Sequence, residues 1–288
     1  MSTEITRAQS TAISTKSQAD LDNDIFQAAG RLEELAETIK DENRKELVLQ
    51  LAQLTRPGIA GVEGQQRVTI PWVLVRQPSS SSPSIPEDVK IGELYSTDGR
   101  IGDRLVILPI LSHVIRRKWG VEKIECQSVD GQVGTQHGSC GACPYGRYVE
   151  GQRTECSKGT AIYGVTEDLT ALYRIDFIKS SAKAGQNILR LARPPALWAR
   201  SFSITTEKKA AQNKNYYELK TSLTGDRTPS DVMQVCDALH GFYKALYEKS
   251  KLSLTGRQLP VVQSSNVIDA QVVTDSDGVV DFGADESI

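Results

Sequence analysis

"CQSVDGQVGTQHGSCGACPYGRYVEGQRTEC" (residues 126–156) holds four of the chain's five cysteines and one of its three histidines. The remaining residues are mostly glycines and polar groups that cannot fill a core. The stretch interrupts a run of strand-like segments, so its reading decides what those strands build. The spacing is C-x13-C-x2-C-x12-C. In Cys140-Gly-Ala-Cys143 the glycine lets the chain turn tightly enough for two thiolates to face one ion. Zn²⁺ takes four ligands at tetrahedral angles, with Zn–S near ~2.3 Å. Cys126 closes one strand-like segment and Cys156 lies just before another, so the sheet anchors the outer pair. A loop without a core of its own would draw its folding energy from the ion.

The expected metal ligands are therefore Cys126, Cys140, Cys143 and Cys156, with His137 as an alternative ligand in place of Cys126. Four sulfurs close the shell, which reads as structural rather than catalytic zinc. The zinc-deaminase pattern is absent: no proline precedes Cys140 and no glutamate follows His137. A thioredoxin-like pair needs a helix after the first cysteine, whereas Pro144 follows the second. Cys236 stands apart among Val232, Val235 and Leu239 and reads as a packing residue.

Seven segments around the loop read as strands: 67–77, 104–111, 121–126, 160–165, 172–180, 200–208 and 215–223. Each is rich in β-branched and aromatic residues and is bounded by Gly, Pro, Ser or Asp. Residues 78–88 form a Ser/Pro loop, and 180–192 reads as a short helix. From Leu21 an apolar series (Leu21, Ile25, Ala28, Leu32, Leu35, Ile39) has spacings 4, 3, 4, 3, 4. That pattern predicts an N-terminal helix over 19–56, capped by Asp20 and stopped by Pro57-Gly58. The stripe serves either packing within the chain or a homo-oligomer through this helix. A C-terminal helix is expected over 228–250, with Thr228 or Ser230 as its cap and Pro229 in its first turn. The fold class predicted is mainly β with flanking helices: an OB-like β-barrel over 60–250 with an inserted zinc-knuckle loop. Residues 1–18 and the tail 258–288 are expected to be disordered.

The 288 residues carry a net charge of −2 and are 39% hydrophobic and 24% charged, a soluble globular balance. No apolar run is long enough to span a membrane. Residues 1–20 lack the apolar stretch of a secretory signal, so a cytoplasmic location with reduced thiols is expected. The near-neutral total hides a segregation. Residues 174–227 hold 11 basic and 4 acidic residues, a local +7, while 258–288 hold 6 acidic residues and no basic one.

Within and near the basic block, cations alternate with rings. "HVIRRKWG" (113–120) supplies Arg116, Arg117, Lys118 and Trp119, and "KSSAK" (179–183) supplies Lys179 and Lys183. "RPPALWARSF" (193–202) adds Trp198, Arg200 and Phe202. The hairpin-like "EKKAAQNKNYYELK" (207–220) adds Lys208, Lys209, Lys214, Tyr216 and Tyr217. Cations that follow phosphates, with rings that stack on bases, suit single-stranded nucleic acid. Packing in a core is the competing role for each ring, and adjacent Tyr216 and Tyr217 must point to opposite faces of a strand. In the tail, Phe282 and Ile288 sit among Asp281, Asp285 and Glu286. They are candidate anchors for partner proteins, on a tail that would compete with nucleic acid for the basic surface.

"IPWVLVRQ", "CQSVDG", "CGACPYG" and a later cysteine, together with the acidic tail, resemble single-stranded DNA-binding proteins of tailed bacteriophages that carry a zinc loop in an OB-fold. The resemblance spans residues 68–222. It implies sequence-tolerant binding of single-stranded DNA in phage replication, recombination or transcription, in the host cytoplasm. It also implies that the tail meets replication, recombination or transcription proteins. The alternative is a zinc-containing accessory factor that binds a polymerase through the knuckle and the N-terminal helix. No acidic metal pair, Ser/His/Asp set or phosphate loop supports an enzyme.

Overall fold

The structure, a computed structural model, describes residues 17–53, 70–78, 85–120, 124–147, 154–192, 196–211 and 214–255. The expected disordered ends, the Pro57-Gly58 stop, most of the Ser/Pro loop and the tail anchors Asp281, Phe282, Asp285, Glu286 and Ile288 lie outside these residues.

The described residues are mainly β, and the large sheet is curled into a half-barrel. Strands β1 (Trp72–Val75), β2 (Leu94–Ser96), β3 (Gly99–Gly102), β4 (Arg104–Trp119) and β5 (Ile124–Ser128) precede the knuckle. The knuckle holds a two-residue pair, β6 (Val133–Gly134) and β7 (Gly138–Ser139). Then follow β8 (Cys156–Thr166), β9 (Leu172–Phe177), β10 (Arg200–Ala211) and β11 (Lys214–Arg227). The nine-stranded sheet runs β11-β10-β4-β8-β9-β1-β2-β3, with β5 also paired to β4. All pairings are antiparallel except β1 with β9.

The curl brings the two ends of this order together. The Gln77 side chain, just past β1, donates to the Tyr217 carbonyl and accepts from the Tyr217 N–H, each at 2.8 Å. Thr206 of β10 donates to the Gly92 carbonyl at 2.6 Å. Gly92 has φ +89°, and a Cβ there would stand 2.4 Å from the Tyr217 ring. The absence of a side chain is what allows this closure.

β4 is the central strand. Its first half reads "RLVILPIL", apolar on both faces, because both faces are covered. Leu105 and Ile107 enter an inner core with Ile162, Ile175, Phe177 and Phe202. Leu108, Ile110 and Leu111 enter an outer core beneath the helices. Pro109 sits at a register shift between Pro109 and Leu111. A proline inside a sheet belongs at such a bulge, where a ladder hydrogen bond is already missing. The extra residue reverses the alternation. Past it, His113, Ile115 and Arg117 face the helical side, and Arg116 and Lys118 face the inner side. β4 continues to Trp119, eight residues beyond the expected strand end.

Helix α3 (Ala182–Leu191) fills the hollow of the curl, with Ile188 fully buried in the inner core. Helices α1 (Gln18–Thr38), α2 (Glu42–Gln53) and α4 (Ser230–Thr255) form the outer layer. The predicted single helix over 19–56 is corrected to α1 and α2. Ile39 turns extended at ψ 123°, and Asp41 restarts the chain by accepting from the Arg44 N–H at 3.0 Å. The α1 cap is Ser17, not Asp20. Asp20 is its capping-box partner, accepting from the Ser17 N–H at 3.0 Å.

The apolar stripe of α1 is used within the chain. Ile25, Ala28, Leu32 and Ala36 pack with Val235, Leu239 and Phe242 of α4. A fully buried leucine or isoleucine contributes about 1.5–3 kcal/mol, so this stripe has no face to offer a second copy. A homo-oligomer through the N-terminal helix would need another face of α1. Cys236 is fully buried in the same core, and burial pushes its thiol up to about 12. It is a packing residue. Among the described residues no helix is long and apolar enough to cross a membrane.

Candidate functional site

The sheet register builds the outer half of the cysteine site. Lys118 of β4 is opposite Cys126 on β5 and opposite Cys156 on β8. Cross-strand partners share a face, so the two outer cysteines flank Lys118 on the inner face. The inner half is a compact turn system. Asp130 Oδ1 accepts from the Gln132 N–H at 2.8 Å and the Val133 N–H at 3.0 Å, an Asx turn helped by Gly131 at φ +70°. The Cys140 N–H donates to the Gln132 carbonyl at 2.7 Å, and Pro144–Gly146 closes the knuckle as a short 3₁₀ turn.

All four cysteines line one pocket: Cys126, Cys140, Cys143 and Cys156 share a void of about 10 Å³ with His137, Arg116, Lys118 and Tyr145. Cys126, Cys140 and Cys143 are each 9% exposed, though none belongs to either hydrophobic core. Burial raises the Cys156 thiol above its ordinary value, Arg116 opposes the rise, and the other three sulfurs add to it. Gly134 forms the wall. A Cβ there would lie 2.8 Å from Cys126 Sγ and 3.8 Å from Cys140 Sγ, inside the space the sulfurs face. Among the described residues, no group of three or more His, Cys, Asp or Glu side chains is arranged so that it could hold a metal ion as it stands. The chemistry of the donor set, four thiols around a glycine-walled void the size of one small particle, nonetheless suits a soft four-coordinate ion. His137 lies in the same pocket with its ring 4.8 Å from that of Tyr145.

The expected nucleic-acid residues divide into three groups. Arg116, Trp119 and Lys179 lie toward the cysteine end, and Lys183 is exposed in the first turn of α3. Arg116 is paired in register with Lys158, an exposed cation that the sequence reading passed over. Lys179 Nζ stands 5.5 Å from the centre of the Trp119 ring. In the second group the cations are already engaged. Arg117 pairs with Asp176, and Lys118 pairs with Glu125 and Glu155. Lys209 bridges Glu207 and Glu218, which face each other across the β10–β11 hairpin, and Lys220 also holds Glu207. Lys208 and Lys214 on that hairpin and Arg200 at its base are exposed. Tyr217 packs on Gly92 and Tyr216 faces the opposite side.

The third group is corrected. Phe202 is 0% exposed in the inner core, and Trp198 is 6% exposed in the outer core beside His240. Neither ring has a face for a base without opening a core.

The sequence reading also passed over Trp72, Arg174 and Asp176. Trp72 and Arg174 are register partners on β1 and β9. No local pattern couples positions 72, 117 and 174, because only the parallel β1–β9 pairing brings them together. A second buried cluster lies beside them. His113 stacks on Tyr247 of α4 at 4.6 Å and lies 5.4 Å from Tyr163. Burial first, then the nearby Arg174 cation, holds His113 down at about 4. No family model, curated protein or solved structure matches the chain.

Proposed function

We propose that the chain binds single-stranded DNA without catalysis and with little regard to sequence, in phage replication, recombination or transcription. The observation that carries this reading is the cation rim at the cysteine end. Arg116 and Lys158 stand side by side on neighbouring strands, and Lys179 lies over the half-buried Trp119 ring at the end of β4. Neighbouring cations attract a phosphate backbone, and an accessible ring can stack on a base. An OB-like barrel is the finer reading of the curled sheet, and a zinc knuckle is the finer reading of the thiol pocket. Cys126, Cys140, Cys143 and Cys156 would hold the ion, with His137 the alternative to Cys126. A bound Zn²⁺ supplies cross-linking between β5, β8 and the knuckle, which holds Arg116 in place. The acidic tail is proposed to compete with DNA for the rim and to dock replication, recombination or transcription proteins.

The test is a fluorescence-anisotropy titration of labelled oligo(dT) and of duplex DNA at low salt. Tighter binding of oligo(dT) supports the reading. No binding, or equal preference for duplex, refutes it. The second reading, an accessory factor that binds a polymerase, draws on Phe26, 61% exposed on α1, and Val133, 42% exposed on the knuckle hairpin. Phe26→Ala and Val133→Ala with oligo(dT) affinity intact and polymerase capture lost would favour it.

A further inference from the structure

Trp72 is half-buried yet belongs to neither core, whereas its neighbour Val73 points into the inner one. Its ring is backed by two guanidiniums. The Arg174 carbon lies 4.5 Å and the Arg117 carbon 4.9 Å from the ring centre. Both arginines are fixed by one carboxylate. Arg174 Nε and Nη2 donate to Asp176 at 2.9 and 3.1 Å, and Arg117 donates to the same group. These side chains are 15%, 7% and 10% exposed for Arg174, Arg117 and Asp176. Arg117 reaches Asp176 across β8, where the residue opposite Asp176 is the small Ala161.

Two features set this cluster apart from ordinary packing. Two guanidiniums share one carboxylate, so a net positive charge stays close to the ring. Trp72 also stands outside the outer core: among the described residues, the helix rings that stack on the sheet do so at His113 and Tyr163. A fixed ring with an unbalanced cation behind it fits a flat, electron-rich partner attached to an anion. An unstacked base on its phosphate is such a partner.

Building on the single-stranded DNA reading, we propose that Trp72 is a base-stacking residue, and that Arg117, Arg174 and Asp176 are the positioning residues that hold its ring and supply the charge for the adjoining phosphate. The platform is preorganised, so stacking incurs little ordering cost. Base–aromatic stacking contributes about 1–3 kcal/mol by alanine substitution, so Trp72→Ala weakens oligo(dT) binding by about 5- to 150-fold.

The chain has three tryptophans, and Trp198 is in the core, so Trp72 and Trp119 are the ones a base can quench. The experiment titrates oligo(dT) into the wild type, Trp72→Ala and Trp72→Phe, and reads anisotropy and intrinsic fluorescence, with thermal unfolding as the folding control. The proposal expects the affinity loss in Trp72→Ala at an unchanged unfolding midpoint. It expects near-native affinity but a smaller fluorescence quench in Trp72→Phe. If Trp72→Ala fails to fold, the quench in Trp72→Phe decides alone. Wild-type affinity in a folded Trp72→Ala, or an unchanged quench in Trp72→Phe, overturns the proposal and leaves the DNA reading standing. A wild type that does not bind oligo(dT) at low salt removes both.

Discussion

Replacing Gly134 by alanine should weaken the zinc binding proposed for the thiol pocket by at least about 10-fold while leaving the sheet intact. The added Cβ would stand 2.8 Å from Cys126 Sγ. Non-bonded heavy atoms of this kind are comfortable at about 3.5–4.0 Å, so the sulfur must retreat by roughly 1 Å. Metal–ligand distances tolerate only about ±0.2 Å. Cys126 is fixed on β5 by its pairing with Lys118 and cannot follow without breaking that register. The ion thus loses one ligand or accepts a distorted shell. Disturbing ligand orientation through an outer partner already costs about 10- to 100-fold in affinity, and displacing a ligand should cost at least that. The assay is zinc competition against a chromophoric chelator, with circular dichroism as the folding control. Gly141→Ala is the matched comparison. It lies between the knuckle cysteines, but its Cβ would meet only Ser139 Oγ at 3.8 Å, an ordinary contact. Equal zinc affinity for Gly134→Ala and wild type would refute the placement of an ion against Gly134.

Three further outcomes are expected. Lys158→Glu should weaken oligo(dT) binding and make the slope of log K against log salt shallower by about 0.7 per lost phosphate contact. His113 is depressed to about 4 against an ordinary ~6.5, so the unfolded chain binds the extra proton first as pH falls. Its contribution is therefore complete above about pH 6.5 and lost progressively down to about pH 4, roughly 3 kcal/mol in all. Urea midpoints across that window should flatten in His113→Phe, and an unchanged pH profile would contradict this. Gln77→Ala removes the two bonds that tie β11 to the end of β1. It should lower stability by about 1–3 kcal/mol in urea denaturation, and a loss under a few tenths would show that the clasp does not hold the curl.

Strand identity was legible because β-branched and aromatic runs bounded by turn residues carry it locally. The cysteine loop was legible in part: its four cysteines line one pocket, but spacing does not fix their sulfurs at ligand geometry. What local pattern cannot give is which face a side chain takes once a bulge intervenes. The extra residue after Pro109 sends Arg117 toward Asp176 and Arg116 toward the thiols, and no periodicity in "SHVIRRKW" announces it. Charge counting misled in a related way. The +7 block contains Glu207 and Glu218, and register places them opposite each other, so Lys209 and Lys220 are spent neutralising them. "ALWARSF" looked like a cation–ring alternation. Trp198 and Phe202 are drawn into two different cores by partners far away in the chain, Trp198 by His240 and Phe202 by Ile107. The break at Ile39 was legible but passed over: the apolar series stops there, and the polar run 40–46 holds Asp41, which caps the restart.

The most direct measurement is the salt dependence of oligo(dT) affinity for the full chain. Three cations, Arg116, Lys158 and Lys183, each neutralising one phosphate, predict a slope of about −2.1 in log K against log salt. That is an affinity fall of about 20-fold between 50 and 200 mM. A slope near zero, or one equally steep and equally tight for duplex DNA, would contradict a cation-lined surface built for a single strand.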